Sequence, residues 1–313
     1  MRELKKVNLQ LSLILIIQLI LVLFVWWPFQ NESHSKKSLF SELNWDEIKS
    51  ITITDQKNNI VLEKVNNQWV VPDQFNFPAD SNKVAGIFDK LKSIQPGFVV
   101  GQTENSFKRL EVSKEKFQKK ISFSKDQGFY LGTSPQFRKI HIRRFEDKEV
   151  FSTDQIASYD FPMDSKEWLN KVLLKVDSSK VQSIKIQQGK EQWVFIRKPS
   201  GEKDNEKDVW QLDGRTVNKS KFDGILRTLS NLQLDEVLGT EEKKEYGLEK
   251  PKAIITVTYE QEGKEMEKTI WIGGQKESNY FAKLVDSSYR VSIPSYQISS
   301  MLNANKKDFF AVN

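Results

Sequence analysis

Two stretches of this chain carry the same helical stripe. Val84, Ile87, Phe88, Leu91 and Ile94 recur at the i, i+3, i+4, i+7 spacing of an amphipathic helix, and Phe222, Ile225, Leu226, Leu229 and Leu232 repeat the pattern at a constant offset. Asp80 or Ser81 in the first stretch, and Asn218 in the second, supply the N-caps such helices need. Gly86 and Gly224 occupy equivalent places in the two stripes. Each costs about 1 kcal/mol relative to Ala in a helix interior, and their recurrence predicts a close approach to a sheet.

Around the helices the pattern changes to alternation. Ile51 and Ile53, Ile140 and Ile142, Ile184 and Ile186, Trp193 and Phe195, and Ile255 and Val257 are each separated by one polar residue, as in half-buried strands. The strand segments also recur: residues 46–53 resemble 179–186, Trp69 matches Trp210, Leu110-Glu111 matches Leu248-Glu249, Tyr130-Leu131-Gly132 matches Trp271-Ile272-Gly273, and Trp168 matches Phe309. A charged stretch at 198–208 lengthens one hairpin loop in the second copy. The expected fold class is therefore α+β: two tandem similar units, 39–171 and 172–313, each a mostly antiparallel sheet with one main amphipathic helix and a Trp of the third strand packed beneath it.

The N-terminus follows a different rule. Residues 7–27, from Val7 to Trp27, carry no formal charge and are rich in Leu, Ile and Val, enough helix to span about 30 Å of hydrocarbon. Arg2, Lys5 and Lys6 precede the run, and Trp26 and Trp27 close it, so the expected topology is a cytoplasmic stub at 1–6, a single transmembrane helix at 7–27, a polar tether at 28–38, and both units outside the cytoplasm. The Trp-Trp-Pro-Phe ending favours an uncleaved anchor over a cleaved signal peptide. Lys36 and Lys37 in the tether are candidates for contact with lipid headgroups, with a simple solvated linker as the ordinary alternative.

Composition narrows the chemistry. A net charge of +6 over 313 residues, with Lys interleaved with Asp and Glu, lacks the concentrated basic face of a nucleic-acid binder. With no cysteine, disulfides, thiolate metal sites and a Cys nucleophile are excluded. His34 and His141 are the only histidines, too few for a histidine-based metal site, and neither a P-loop nor a Gly-x-Ser-x-Gly elbow is present. We expect no cofactor, no metal and no catalytic residues, with any small-molecule ligand undetermined.

The segment Tyr246-Gly247-Leu248-Glu249-Lys250-Pro251, followed by a strand and Trp271-Ile272-Gly273, resembles the bacterial family catalogued as domain of unknown function 4340, over residues 40–310. The first copy departs from the motif, with Phe107-Lys108-Arg109-Leu110 and no following Pro. The resemblance implies a membrane-anchored extracytoplasmic protein, with some members beside ABC transporter systems of the gliding type, and it carries no catalytic residue across.

Two groups of residues remain as candidate sites. Lys139, His141 and Arg143 alternate with Ile140 and Ile142, so on a strand they form a basic stripe facing away from the core, suited to anionic polymers or lipid headgroups or simply solvated. Asp160 and Asp164 flank a short loop as a conceivable carboxylate pair, with helix capping near Trp168 as the ordinary alternative. The expected function is a non-enzymatic membrane-anchored scaffold partnering a transporter or another envelope complex. An anion-binding module and, more remotely, a carboxylate-dependent envelope hydrolase are the alternatives.

Overall fold

A computed structural model describes residues 15–18, 37–198 and 209–310. The first sheet is built from β1 (Ser50–Thr54), β2 (Asn59–Val65), β3 (Gln68–Val71), β4 (Phe77–Pro78), β5 (Val99–Gly101), β6 (Lys119–Ser122), β7 (Gly128–Leu131), β8 (Ile140–Arg144) and β9 (Val150–Thr153). Between them lie helices α1 (Ser81–Ser93) and α2 (Glu104–Leu110). A short pair, β10 (Val172–Lys175) and β15 (Asn231–Gln233), follows the first sheet in the chain.

The second sheet comprises β11 (Val181–Gln188), β12 (Glu191–Lys198), β13 (Val209–Leu212), β14 (Arg215–Thr216), β16 (Glu236–Gly239), β17 (Ala253–Gln261), β18 (Lys264–Lys276), β19 (Asn279–Leu284) and β20 (Arg290–Pro294). Its helices are α3 (Lys219–Ser230) and α4 (Ser295–Leu302). The fold is α+β with antiparallel sheets and few helices.

Both nine-stranded sheets have one strand order. The first runs β4-β3-β2-β1-β6-β7-β8-β9-β5 and the second β14-β13-β12-β11-β17-β18-β19-β20-β16, so four hairpin-linked strands, four more, and a returning edge strand recur in the same places. The local pins match as well. Ala79 N–H donates to Trp69 O (2.8 Å) as Val217 N–H does to Trp210 O (2.9 Å), and Asp80 N–H donates to Trp168 O (2.8 Å) as Asn218 N–H does to Phe309 O (2.7 Å).

The expected helical stripes lie inward: Val84, Ile87, Leu91 and Ile94 are buried, as are Phe222, Ile225, Leu229 and Leu232. Asp80 caps α1 by accepting from Asn82 N–H and Lys83 N–H, and Asn218 caps α3 by accepting from Ser220 N–H and Lys221 N–H. Trp210 packs against Phe222 of α3 with ring centroids 4.5 Å apart. The glycines depart from expectation. Gly86 and Gly224 are exposed, and an added Cβ at either would meet nothing within 4 Å. No close approach explains them.

By compactness the chain divides differently from its sheets. One unit gathers the described residues up to Asp46 with Ile87–Gln118 and Phe129–Asp160; the other gathers Glu47–Gly86, Lys119–Gly128 and the described residues from Phe161 onward. Inside that second unit Tyr289 stacks edge-on to Phe77 (4.8 Å), its hydroxyl donates to Asn76 O (3.0 Å), and Lys166 pairs with Glu236. These contacts join β4 and the turn at Ser165–Trp168 to strands of the second sheet within that unit.

Apart from residues 15–18, which are helical, the run 7–27 expected to cross a membrane lies outside the described residues, as do 1–6 and most of the tether. Among the described residues no helix is long and apolar enough to cross a membrane.

Candidate functional site

The basic stripe expected on β8 is not a solvent-facing surface. Lys139 is exposed and precedes the strand, whereas His141 and Arg143 are only 6% and 7% exposed. The cover is α2 and the turn after it: Phe107, Leu110, Val112, Tyr130 and Val150 form a closed apolar cluster, with Phe117 and Phe145 against it. This lies on the face that the alternation of β8 assigns to water. A capping box at Thr103 and Ser106 starts α2, and Glu111 ends it with φ at 58°. Thr103 as an N-cap type, with Phe107 and Leu110 one helical turn apart, was the available sequence signal for a second helix.

Arg143 is spent on this cover. Its Nε donates to Val112 O (2.8 Å), its Nη1 donates to Asp147 O (2.9 Å), and the guanidinium lies over Phe107 (4.4 Å) and Tyr130 (5.0 Å). Its fork and faces therefore hold the turn onto the sheet rather than presenting to an anion. His141 shares a 3.0 Å hydrogen bond between Nδ1 and the Thr133 hydroxyl. Burial holds its pKa below the ordinary value; a hydrogen bond with the Thr133 backbone opposes this and the charge of Arg109 reinforces it. Burial likewise raises the Tyr130 hydroxyl, against the pull of Arg143.

A glycine on the sheet makes the close cover geometrically possible. A Cβ added at Gly132 would overlap the carbonyl oxygen of Leu110, and Thr133 N–H donates to that same oxygen at 2.9 Å. The second sheet is built alike. A Cβ at Gly273 would overlap Tyr246 O, and Tyr246, Leu248 and Phe281 form the buried cluster, with Leu238 and Trp271 against it. Gly247, at φ 64°, ends the short turn Lys244–Tyr246 as Glu111 ends α2. By role, then, Leu110 answers to Tyr246, Glu111 to Gly247 and Val112 to Leu248, a different register from the Leu110–Leu248 match read from the sequence.

The carboxylates hold turns. Asp164 accepts from Lys166 N–H (2.9 Å) as N-cap of the turn Ser165–Trp168, and Trp168 Nε1 donates to Pro162 O (3.1 Å). Asp160 accepts from Ala157 N–H (2.8 Å) and pairs with Lys90 (2.6 Å). Among the described residues no group of three or more His, Cys, Asp or Glu is placed to hold a metal ion. An open concavity of about 610 Å³ lies on the second sheet, lined by Gln182, Ser183, Val194, Ile196, Arg197, Thr258 and Glu265. Its mixed wall offers contact area, and its Arg197 donates to the carbonyls of Ser178 and Ser179.

The class these features define is an α+β protein of antiparallel sheets, each with part of one face covered by a short segment seated on a strand glycine. The chain belongs to the family described as Domain of unknown function (DUF4340), whose model matches residues 69–251. The match starts within the first sheet and ends in the second, at the Pro that closes the Tyr-Gly-Leu segment. No curated protein and no solved structure matches the chain.

Proposed function

We propose that this protein is a non-enzymatic scaffold, anchored in the cytoplasmic membrane by residues 7–27, that carries two tandem copies of one α+β unit outside the cytoplasm and partners an ABC-type transporter or another envelope complex. The observation that carries the reading is the repeated construction. Two sheets share one strand order, and in each a short segment covers part of one face over a strand glycine. Arg143, His141, Asp160 and Asp164 each serve a local hydrogen bond or ion pair that builds a turn or a cover. The anchor is supported by the uncharged apolar run and its flanking Arg2, Lys5 and Lys6; the transporter partner is supported by the family resemblance.

The anion-binding alternative loses two of the three residues on which it rested, since His141 and Arg143 are buried. The scaffold reading is tested by mild-detergent extraction of membranes holding the full chain, crosslinking, and identification of what co-purifies. Stoichiometric recovery of a membrane protein supports it; repeated recovery of the chain alone overturns it.

A further inference from the structure

One end of the first compact unit collects exposed aromatic and basic residues at the place where the N-terminal segment joins it. Phe98 is 92% and Phe137 85% exposed, the two most exposed aromatic side chains among the described residues. One exposed ring is ordinary; two of them at one end of a sheet, with cations beside them, make an interaction surface. Strand register puts them at the same end. Ile140, which opens β8, faces Thr153 at the close of β9, and Val99, which opens β5, faces Phe151. Phe137 lies in the loop entering β8 and Phe98 immediately precedes β5, and these two strands are two strand spacings, about 10 Å, apart.

The C-terminus of α1 is tied to this end, because Gln155 donates to Ser93 O (3.0 Å) and accepts from Gln95 N–H (3.1 Å). The N-terminal chain arrives there too: Leu39 N–H donates to Ile94 O at 2.7 Å. Lys37, Arg138 and Lys139 are exposed, against the exposed carboxylate of Asp154, and the Arg138 guanidinium sits 5.1 Å from the Phe137 ring. From Trp27 to Lys37 a fully extended chain reaches no more than about 35 Å. If residues 7–27 lie in a bilayer, this end can lie no farther than about 35 Å from its surface.

We infer that the end of the first unit formed by Phe98, Phe137, Arg138, Lys139 and Lys37 docks on the anionic surface of the bilayer that holds the N-terminal segment, the two rings entering the headgroup region and the cations meeting lipid phosphates. The inference rests on the proposed anchor. Aromatic insertion combined with attraction to anionic lipid is the usual basis of interfacial binding. Docking fixes the orientation of the first unit on the membrane.

The chain has no cysteine, so single reporters are simple to place. The full-length chain is reconstituted into vesicles of phosphatidylcholine with phosphatidylglycerol, carrying a solvatochromic label at Gln136→Cys or, as control at the opposite end of β8, at Lys148→Cys. Nitroxide-bearing lipids should quench the label at 136 and leave that at 148 in water. Phe98→Ser with Phe137→Ser should abolish the quenching, and Arg138→Glu or Lys139→Glu should each lower the ratio of docked to undocked chain roughly fivefold or more. Flotation of the same samples separates the two ideas. A chain that floats while position 136 stays aqueous overturns docking and leaves the anchor standing; a chain that does not float overturns the anchor and docking with it. A label shielded from water yet unquenched by lipid reports protein contact and overturns the inference.

Discussion

Tyr130 and Arg143 face each other across β7 and β8, with the guanidinium 5.0 Å from the ring centre. The second sheet repeats the relationship with different residues: Trp271 faces Lys283 across β18 and β19, and the ammonium lies 4.4 Å from the indole. A cation over an aromatic neighbour is favourable, more so when partly desolvated. Each cation has further partners, backbone carbonyls for Arg143 and Glu242 (3.6 Å) for Lys283. The pair thus binds the cover to the sheet in both halves.

Arg143→Met should lower stability by about 2–3 kcal/mol, because it leaves the buried carbonyl of Val112 without its donor and strips the cation from two rings. Arg143→Lys should recover only part of this, lacking the fork. Chemical denaturation of the three proteins checks the order; equal stability of the Met variant and the parent would contradict the assigned role.

Glycine-to-alanine changes should split by position. At Gly132 or Gly273 the methyl group meets the carbonyl of the covering segment, and a loss of about 1–3 kcal/mol is expected. At Gly86 or Gly224 the methyl meets open space in a helix, and a gain of about 0.5–1 kcal/mol is expected. Unfolding midpoints of the four single variants decide it, and a common sign would refute the distinction.

The depressed pKa of His141 predicts a pH dependence with a definite sign. The unfolded chain protonates near pH 6.5 and the folded chain only at lower pH, so the contribution is fully present above about 6.5 and is lost as pH falls toward the folded value. Phe281 stands at the equivalent point of the second sheet, each facing a serine: Ser152 opposite His141 and Ser292 opposite Phe281. His141→Phe should therefore fold and should flatten the stability profile between pH 7.5 and pH 5. Parallel profiles for the two proteins would show that His141 does not contribute.

Asp164→Ala removes a cap whose loss elsewhere costs about 1 kcal/mol, and the effect should appear in thermal unfolding. Asp164→Asn, which keeps an acceptor for Lys166 N–H, should restore most of it. If Asn behaved no better than Ala, capping would not be the reason for Asp164.

Periodicity by itself determined the two main helices, the Asn218 cap and the inward residues of the strands, because each of these depends on neighbours a few residues away; the choice of Asp80 over Ser81 as the other cap came from the structure. Self-similarity along the chain supplied the matched pairs Trp69–Trp210 and Trp168–Phe309. The fate of polar residues on the other strand face was not legible there. His141 and Arg143 read as solvated because alternation distinguishes two faces of a sheet without saying what covers them, and α2 is too short to announce itself by period. Only the tertiary structure decided that Leu110 and Tyr246 press their carbonyls onto Gly132 and Gly273, since that contact joins segments far apart in the chain and is set by backbone approach, which leaves no trace in the pattern beyond a glycine.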